Sequence, residues 1–183
     1  MLNSIQVRDQ LIRKFNKDLG LAVQKCQEWF PNAHEFKFDL LRGIELKLNL
    51  NSGRVAGKAH GKAYSFSNVQ LNYKAACESD ENFKHILNDT IPHEIAHLVE
   101  YIFMNKMSHS RNWKSICKGL GGSGELYHDL EIKPVRAKKQ YKYFLERGEV
   151  LVSTIRHNRI QRGTVYSCSV GRIDNSLKFV EVK

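Results

Sequence analysis

The sequence predicts an α+β fold, and three observations carry that prediction. Apolar residues recur at three- and four-residue steps through Ser4–Trp29, alternate strictly within residues 34–73, and return to helical spacing over residues 79–103. Beyond residue 140, short apolar runs are separated by turn residues. The expected architecture is an N-terminal helix, a small mostly antiparallel sheet, a long and a short helix, and a small C-terminal β ribbon. The expected domain limits are 1–140 and 141–183.

Each element follows from its residues. Ile5, Leu11, Ile12, Phe15, Leu19, Val23, Cys26 and Phe30 form one amphipathic stripe. It reads as one helix, or two joined near Gly20, stopped by Pro31 and Asn32. Ile44, Leu46, Leu48 and Leu50 then alternate with Glu45, Lys47 and Asn49. Tyr64-Ser65-Phe66-Ser67 and Val69-Gln70-Leu71-Asn72-Tyr73 repeat the alternation, while Asn51-Ser52-Gly53 and His60-Gly61-Lys62 supply turn chemistry. His60 is expected at the surface, in a turn. Ser79-Asp80-Glu81 opens the next helix, with a capping hydroxyl ahead of two acids. Its apolar face is Phe83, Ile86, Leu87, Ile91, Ile95, Leu98, Ile102 and Phe103; Pro92 either bends it or starts a fresh helix. Residues 110–120 read as a short helix ended by Gly121-Gly122. Past residue 140, four strand-like runs centre on Tyr143, Leu151, Tyr166 and Phe179, the second reaching Ile155, with turns at Gly148, Gly163 and Asp174-Asn175.

At 183 residues and 42% hydrophobic content the chain can bury a real core. No apolar run is long enough to span a membrane, and residues 1–10 lack the apolar centre of a signal peptide, so the expectation is a cytoplasmic protein with no membrane partner. Cys26, Cys77, Cys117 and Cys168 are scattered without a C-x-x-C pair and read as reduced thiols. The net charge of +10 is uneven: residues 131–183 carry 12 Lys+Arg against 5 Asp+Glu. Cations interleaved with Tyr and Phe suit the phosphates and bases of a nucleic acid, and equally a solvated basic face.

The stretch Ile91-Pro92-His93-Glu94-Ile95-Ala96-His97-Leu98 holds a His-Glu-x-x-His pattern. On a helix, residues four apart share a face, so His93 and His97 can aim at one metal ion. Glu94 is too far round to be a ligand, yet its carboxylate can reach a water beside that ion as general base. Chance occurrence in a chain of this composition is about 2%, so a third ligand has to decide between a zinc site and a buried helix with hydrogen-bonded histidines. His85, two turns earlier, points at a different level and reads as structural. A ligand six residues past His97 would be Phe103, which cannot serve. A glutamate about a score of residues downstream would fall near the apolar Ile116, with Glu125 the nearest acid. His109 fits better.

With these features, His109 followed by Trp113-Lys114, Tyr127-His128, and the later segments Arg156-His157-Asn158-Arg159-Ile160-Gln161-Arg162-Gly163 and Val165-Tyr166-Ser167-Cys168, the chain resembles the SprT-like metalloproteases, which include bacterial SprT and the eukaryotic Spartan proteases. The resemblance implies a minimal zincin domain holding one Zn2+ on His93, His97 and His109, with Glu94 as base. It implies hydrolysis of peptide bonds, with protein substrates associated with or crosslinked to DNA. An oxyanion donor or a residue supporting the ligands is expected at Tyr127 or His128. Relatives carry a C-terminal zinc ribbon on two cysteine pairs; here Tyr143 and Leu145 stand at the first pair and only Cys168 remains of the second. A metal-free ribbon is therefore expected, bracing the catalytic domain or contacting DNA through Arg156, Arg159, Arg162 and Arg172. The competing reading is a non-proteolytic nucleic-acid-binding protein with a structural or inactive zinc site.

Overall fold

One unbroken helix, α1 (Ser4–Trp29), begins at a capping box: Asn3 Oδ1 accepts the Gln6 amide at 2.9 Å, and Gln6 Oε1 accepts the Asn3 amide at 3.0 Å. Gly20 lies on its exposed face and does not divide it. The buried stripe is Val7, Leu11, Phe15, Leu19, Ala22 and Cys26. These coordinates are a computed structural model describing residues 2–61, 65, 67–126, 130, 132 and 139–182. The chain divides into two compact units, Met1–Val135 and Arg136–Lys183, each with its own apolar core.

A second helix, α2 (Glu35–Arg42), occupies the start of the region expected to alternate as strand. Phe36, Phe38 and Leu40 do alternate, but the residues buried are Phe38 and Leu41, three apart as a helix requires. The His34 ring caps it by accepting the Phe36 amide at 3.2 Å, and Arg42 pairs with Glu35 at 2.7 Å and Asp39 at 2.9 Å.

The sheet of the first unit has strands β1 (Glu45–Lys47), β2 (Gly57–His60) and β3 (Asn68–Leu71) in the order β1-β3-β2. β3 is central, antiparallel to β2 and parallel to β1, so this sheet is mixed. The alternation from Ile44 to Leu50 yields only three paired residues. His60 closes β2, half-buried, and is not a turn residue. Tyr64 and Phe66 of the expected strand lie outside the described residues. After β3, the buried Asn72 caps α3 (Tyr73–Ala76) and donates through Nδ2 to the carbonyls of Ser52 at 2.7 Å and Val55 at 3.1 Å. One amide thereby fixes the loop that leads into β2.

Ser79 caps α4 (Asp80–His85), its Oγ accepting the Asn82 amide at 3.0 Å. The chain then widens into a π-helical turn, Ile86–Thr90, before α5 (Ile91–Met104). Pro92 supplies the reason. It has no N–H for the carbonyl four residues back and its ring crowds that carbonyl, so the ladder slips and the Ile91 amide bonds Ile86 five residues away. α5 leaves through Asn105, left-handed at φ 54°. Ser110 then caps α6 (Arg111–Gly119), within the span expected for a short helix. Ile95, Leu98, Val99 and Ile102 of α5 share one core with the α1 stripe and with Val69 and Leu71 of β3.

In the second unit, β4 (Gln140–Leu145) and β5 (Gly148–Ser153) form a hairpin. The run expected to continue as strand to Ile155 instead turns into α7 (Thr154–Gln161), because Ser153 caps a helix that buries His157 and Ile160 three residues apart. A second hairpin, β6 (Tyr166–Cys168) and β7 (Gly171–Ile173), follows, and β8 (Phe179–Val182) returns to pair with β4 in the order β5-β4-β8. The core is Tyr143, Val152, Ile160 and Ile173. The Tyr143 hydroxyl accepts from Gln161 Nε2 at 2.9 Å and lies 2.8 Å from His157 Nδ1, while the Tyr141 ring stacks on His157 at 3.6 Å between centroids. Arg156 and Arg159 are exposed, three residues apart on α7; Arg162 stands at its C-cap, and Arg172 on β7 pairs with Asp174 at 3.6 Å. No described helix is long and apolar enough to cross a membrane.

Candidate metal centre

The first two turns of α5 present His93 and His97 on one face, and the loop between α5 and α6 brings His109 against them. His109 Nε2 lies 3.1 Å from His93 Nε2 and 3.2 Å from His97 Nε2. Hydrogen bonds do not explain that convergence. Each neutral imidazole nitrogen carries either a proton or a lone pair, so one nitrogen of His109 serves at most one of its two neighbours as each requires. A cation between three lone pairs satisfies all of them. A tetrahedral ion with metal–nitrogen bonds of about 2.0–2.1 Å sets its ligands about 3.3–3.4 Å apart, close to the separations here. Among the described residues these three histidines form the group that could hold a metal ion.

Two features tune the ligands. Burial, with His109 alongside, lowers His97 to about 4, so its ring stays neutral across the physiological range. Trp113, fully buried at the start of α6, meets all three rings, stacking on His97 at 5.2 Å and edging His93 and His109 at 4.6 Å each. Its indole N–H donates to the His93 carbonyl at 3.3 Å, tying α6 to the turn that carries two of the ligands.

Glu94 is buried, and burial raises its carboxyl to about 7, against the opposing pull of a hydrogen bond from the Ala59 amide. That amide belongs to β2, and the close approach of β2 to α5 depends on Gly57. A Cβ there would stand 2.5 Å from Thr90 Cγ2 and 2.9 Å from Glu94 Cγ. The three histidines and Glu94 open onto one cleft of about 820 Å³, walled by β2 on one side and by the π-helical turn on another. His85 sits half-buried on that wall with Nδ1 3.9 Å from Asp89. Glu125 borders the cleft without joining the histidine group, and Ile116 is buried in α6.

His93, Glu94, His97 and His109, distant by up to 16 positions, are thus brought together. Tyr127 and His128 lie outside the described residues. Sequence reasoning missed the Ala59 amide, Gly57 and Glu100, a buried residue of α5 whose carboxylate accepts from Ser108 and Ser110 on either side of His109. A backbone donor has no sequence signature, and glycine signals close approach only once the approaching element is known. Glu100 carries one trace, its place seven residues after His93 on the same helical face.

Comparison with known proteins agrees with this geometry. The model of the SprT-like family matches residues 26–134, which hold all three histidines and Glu94. Protein SprT of Actinobacillus succinogenes is 31% identical over 167 residues, covering 88% of this chain and 89% of that protein. Protein SprT of Vibrio atlanticus is 31% identical over 119 residues, covering 63% of this chain and 69% of its own, and that of Proteus mirabilis is 34% identical over 120 residues, covering 63% and 67%. No solved structure matches the chain. A family match over more than half of the chain, together with a relative aligned along nearly all of it, shows that this protein belongs to the SprT-like family.

Proposed function

We propose that the chain is a zinc-dependent metallopeptidase acting in the cytoplasm on proteins associated with or crosslinked to DNA. The observation that carries the reading is the convergence of three imidazole nitrogens beside a buried carboxylate whose pKa sits near neutrality. A zinc ion held by His93, His97 and His109 would supply Lewis acidity for a carbonyl and acidify water. Glu94, poised near pH 7, takes a proton from the attacking water and passes it to the leaving amine nitrogen. The Ala59 amide holds that carboxylate in place. Trp113, itself fully buried, packs against all three imidazoles and limits their rotation.

Peptide is favoured over other hydrolysable substrates by β2. Among the described residues it is an edge strand of its sheet, and it also lines the cleft, so an extended chain can add to it beside Glu94. DNA contact is assigned to the exposed arginines of the second unit, Arg156, Arg159 and Arg162 around α7 and Arg172 on β7, because guanidinium groups bond phosphate oxygens. The test is elemental analysis of the purified protein and of His109→Ala, with peptide-bond cleavage followed in Glu94→Gln in the presence of DNA. About one zinc per chain is expected, sharply reduced in His109→Ala, and Glu94→Gln should keep the zinc and lose cleavage. Full cleavage by Glu94→Gln, or a protein that takes up no zinc on addition, would defeat the reading.

A further inference from the structure

His93 and His97 are fixed by a helix, whereas His109 is an exposed residue in the loop between α5 and α6. That loop leaves α5 through the left-handed Asn105 and re-enters a helix at the Ser110 cap. Something must hold its middle if the third nitrogen is to stand 3.1–3.2 Å from the other two before any ion arrives.

Glu100 is placed to do so. It is fully buried on α5, seven residues after His93 and three after His97, and therefore on the ligand face. Its Oε2 accepts the Ser108 amide at 3.0 Å and, more loosely, the Ser108 hydroxyl at 3.5 Å. Its Oε1 accepts the Ser110 hydroxyl. The carboxylate thus grips the residues immediately before and after His109. Ser110 Oγ also accepts the Trp113 amide at 3.2 Å, so the same grip sets the first turn of α6 and the indole that meets all three imidazoles.

We propose that Glu100 is a positioning residue for the metal centre: by clamping Ser108 and Ser110 it holds His109 in its ligating pose. The proposal rests on the reading of the three histidines as metal ligands. Its physical content is preorganisation. A loop ordered in advance loses little freedom when its ligand binds, whereas a free loop must be ordered at the expense of affinity. Both carboxylate oxygens receive donors; a glutamine can keep the Ser108 amide on its Oε1 and donate to the Ser110 hydroxyl, whereas truncation to alanine removes both sides of the clamp.

The test measures affinity for Zn2+ by competition with a chromophoric chelator, and the visible absorption of the Co2+-loaded protein, in the full chain. The variants are wild type, Glu100→Ala, His109→Ala and the double variant, at a temperature where circular dichroism shows each folded. Glu100→Ala should weaken Zn2+ binding about 10–100-fold, the range for residues that orient metal ligands, and alter the Co2+ spectrum. In the His109→Ala background the same substitution should cost nothing further, because its effect passes through His109. Ser110→Ala breaks the clamp from the loop side, leaving α5 intact; it should give a smaller loss with the same dependence on His109, and it decides the matter if Glu100→Ala does not fold. Unchanged affinity and spectrum in these variants, or an equal loss with and without His109, would overturn the clamp while leaving the three-histidine site standing. Absence of Zn2+ binding by the wild type would instead remove both.

Discussion

At the scale of single residues, burial determines which groups can change charge. Glu94 is raised because the wall of the cleft strips its water away, and the Ala59 amide returns only part of that loss. Asp18, buried on the inner side of α1, shows the same physics away from the site. Burial raises its carboxyl above the ordinary value of 3.8, and the ion pair with Lys14 and the charge of Lys17 offset this only in part. The sign follows from linkage. Below the ordinary value both states are protonated; as pH rises the unfolded chain releases its proton first, so Asp18 makes the fold progressively less stable up to its raised value. Asp18→Asn should therefore raise the thermal midpoint at pH 7, with the advantage shrinking toward pH 3.5. Thermal denaturation followed by circular dichroism across that range checks it, and a variant less stable at pH 7 would show that the Lys14 pair outweighs the burial.

At the scale of elements, the site depends on how closely a strand and a helix approach. β2 reaches α5 because Gly57 has no side chain to meet Thr90 and Glu94. Gly57→Ala should push the strand outward, cost about 1–3 kcal/mol by overpacking, and break the Ala59 hydrogen bond to Glu94. Since the three histidines lie on α5 and the loop before α6, zinc content should hold while cleavage falls at least tenfold. Urea denaturation, elemental analysis and a peptidase assay separate these effects; cleavage at the wild-type rate would show that the Ala59 amide is dispensable. The same scale explains what the sequence period concealed. Phe36, Phe38 and Leu40 alternate like a strand, yet Phe38 and Leu41 are the pair that reaches the core, and the His34 cap starts a helix. Ser153 does the same for α7, where Ile155 continues the strand pattern but stays exposed.

At the scale of the molecule, chemistry and charge are divided between the two units. The histidines, Glu94 and the cleft belong to the first, whereas the arginines of α7 and β7 belong to the second, on a core of aromatic and aliphatic residues. Reversing Arg156 and Arg159 together to Glu should leave zinc content unchanged. DNA affinity should fall, and the slope of log affinity against log salt should shrink by about 2, one counterion for each lost phosphate contact. Fluorescence anisotropy over a salt series measures both, and an unchanged slope would place the DNA contact elsewhere.

The sequence by itself determined the elements whose signals are local: the stripe of α1, the Ser79 cap, the short helix within residues 110–120, and the face shared by His93 and His97. It also singled out His109, because ligand spacing leaves a trace along the chain. Tertiary structure alone decided the mixed order of the first sheet and the distances among the three imidazole nitrogens. It alone brought the Ala59 amide to Glu94 and Glu100 to Ser108 and Ser110. The reason is physical: period and capping act within a few residues, whereas a buried carboxylate acquires its role from donors that folding brings to it from elsewhere in the chain.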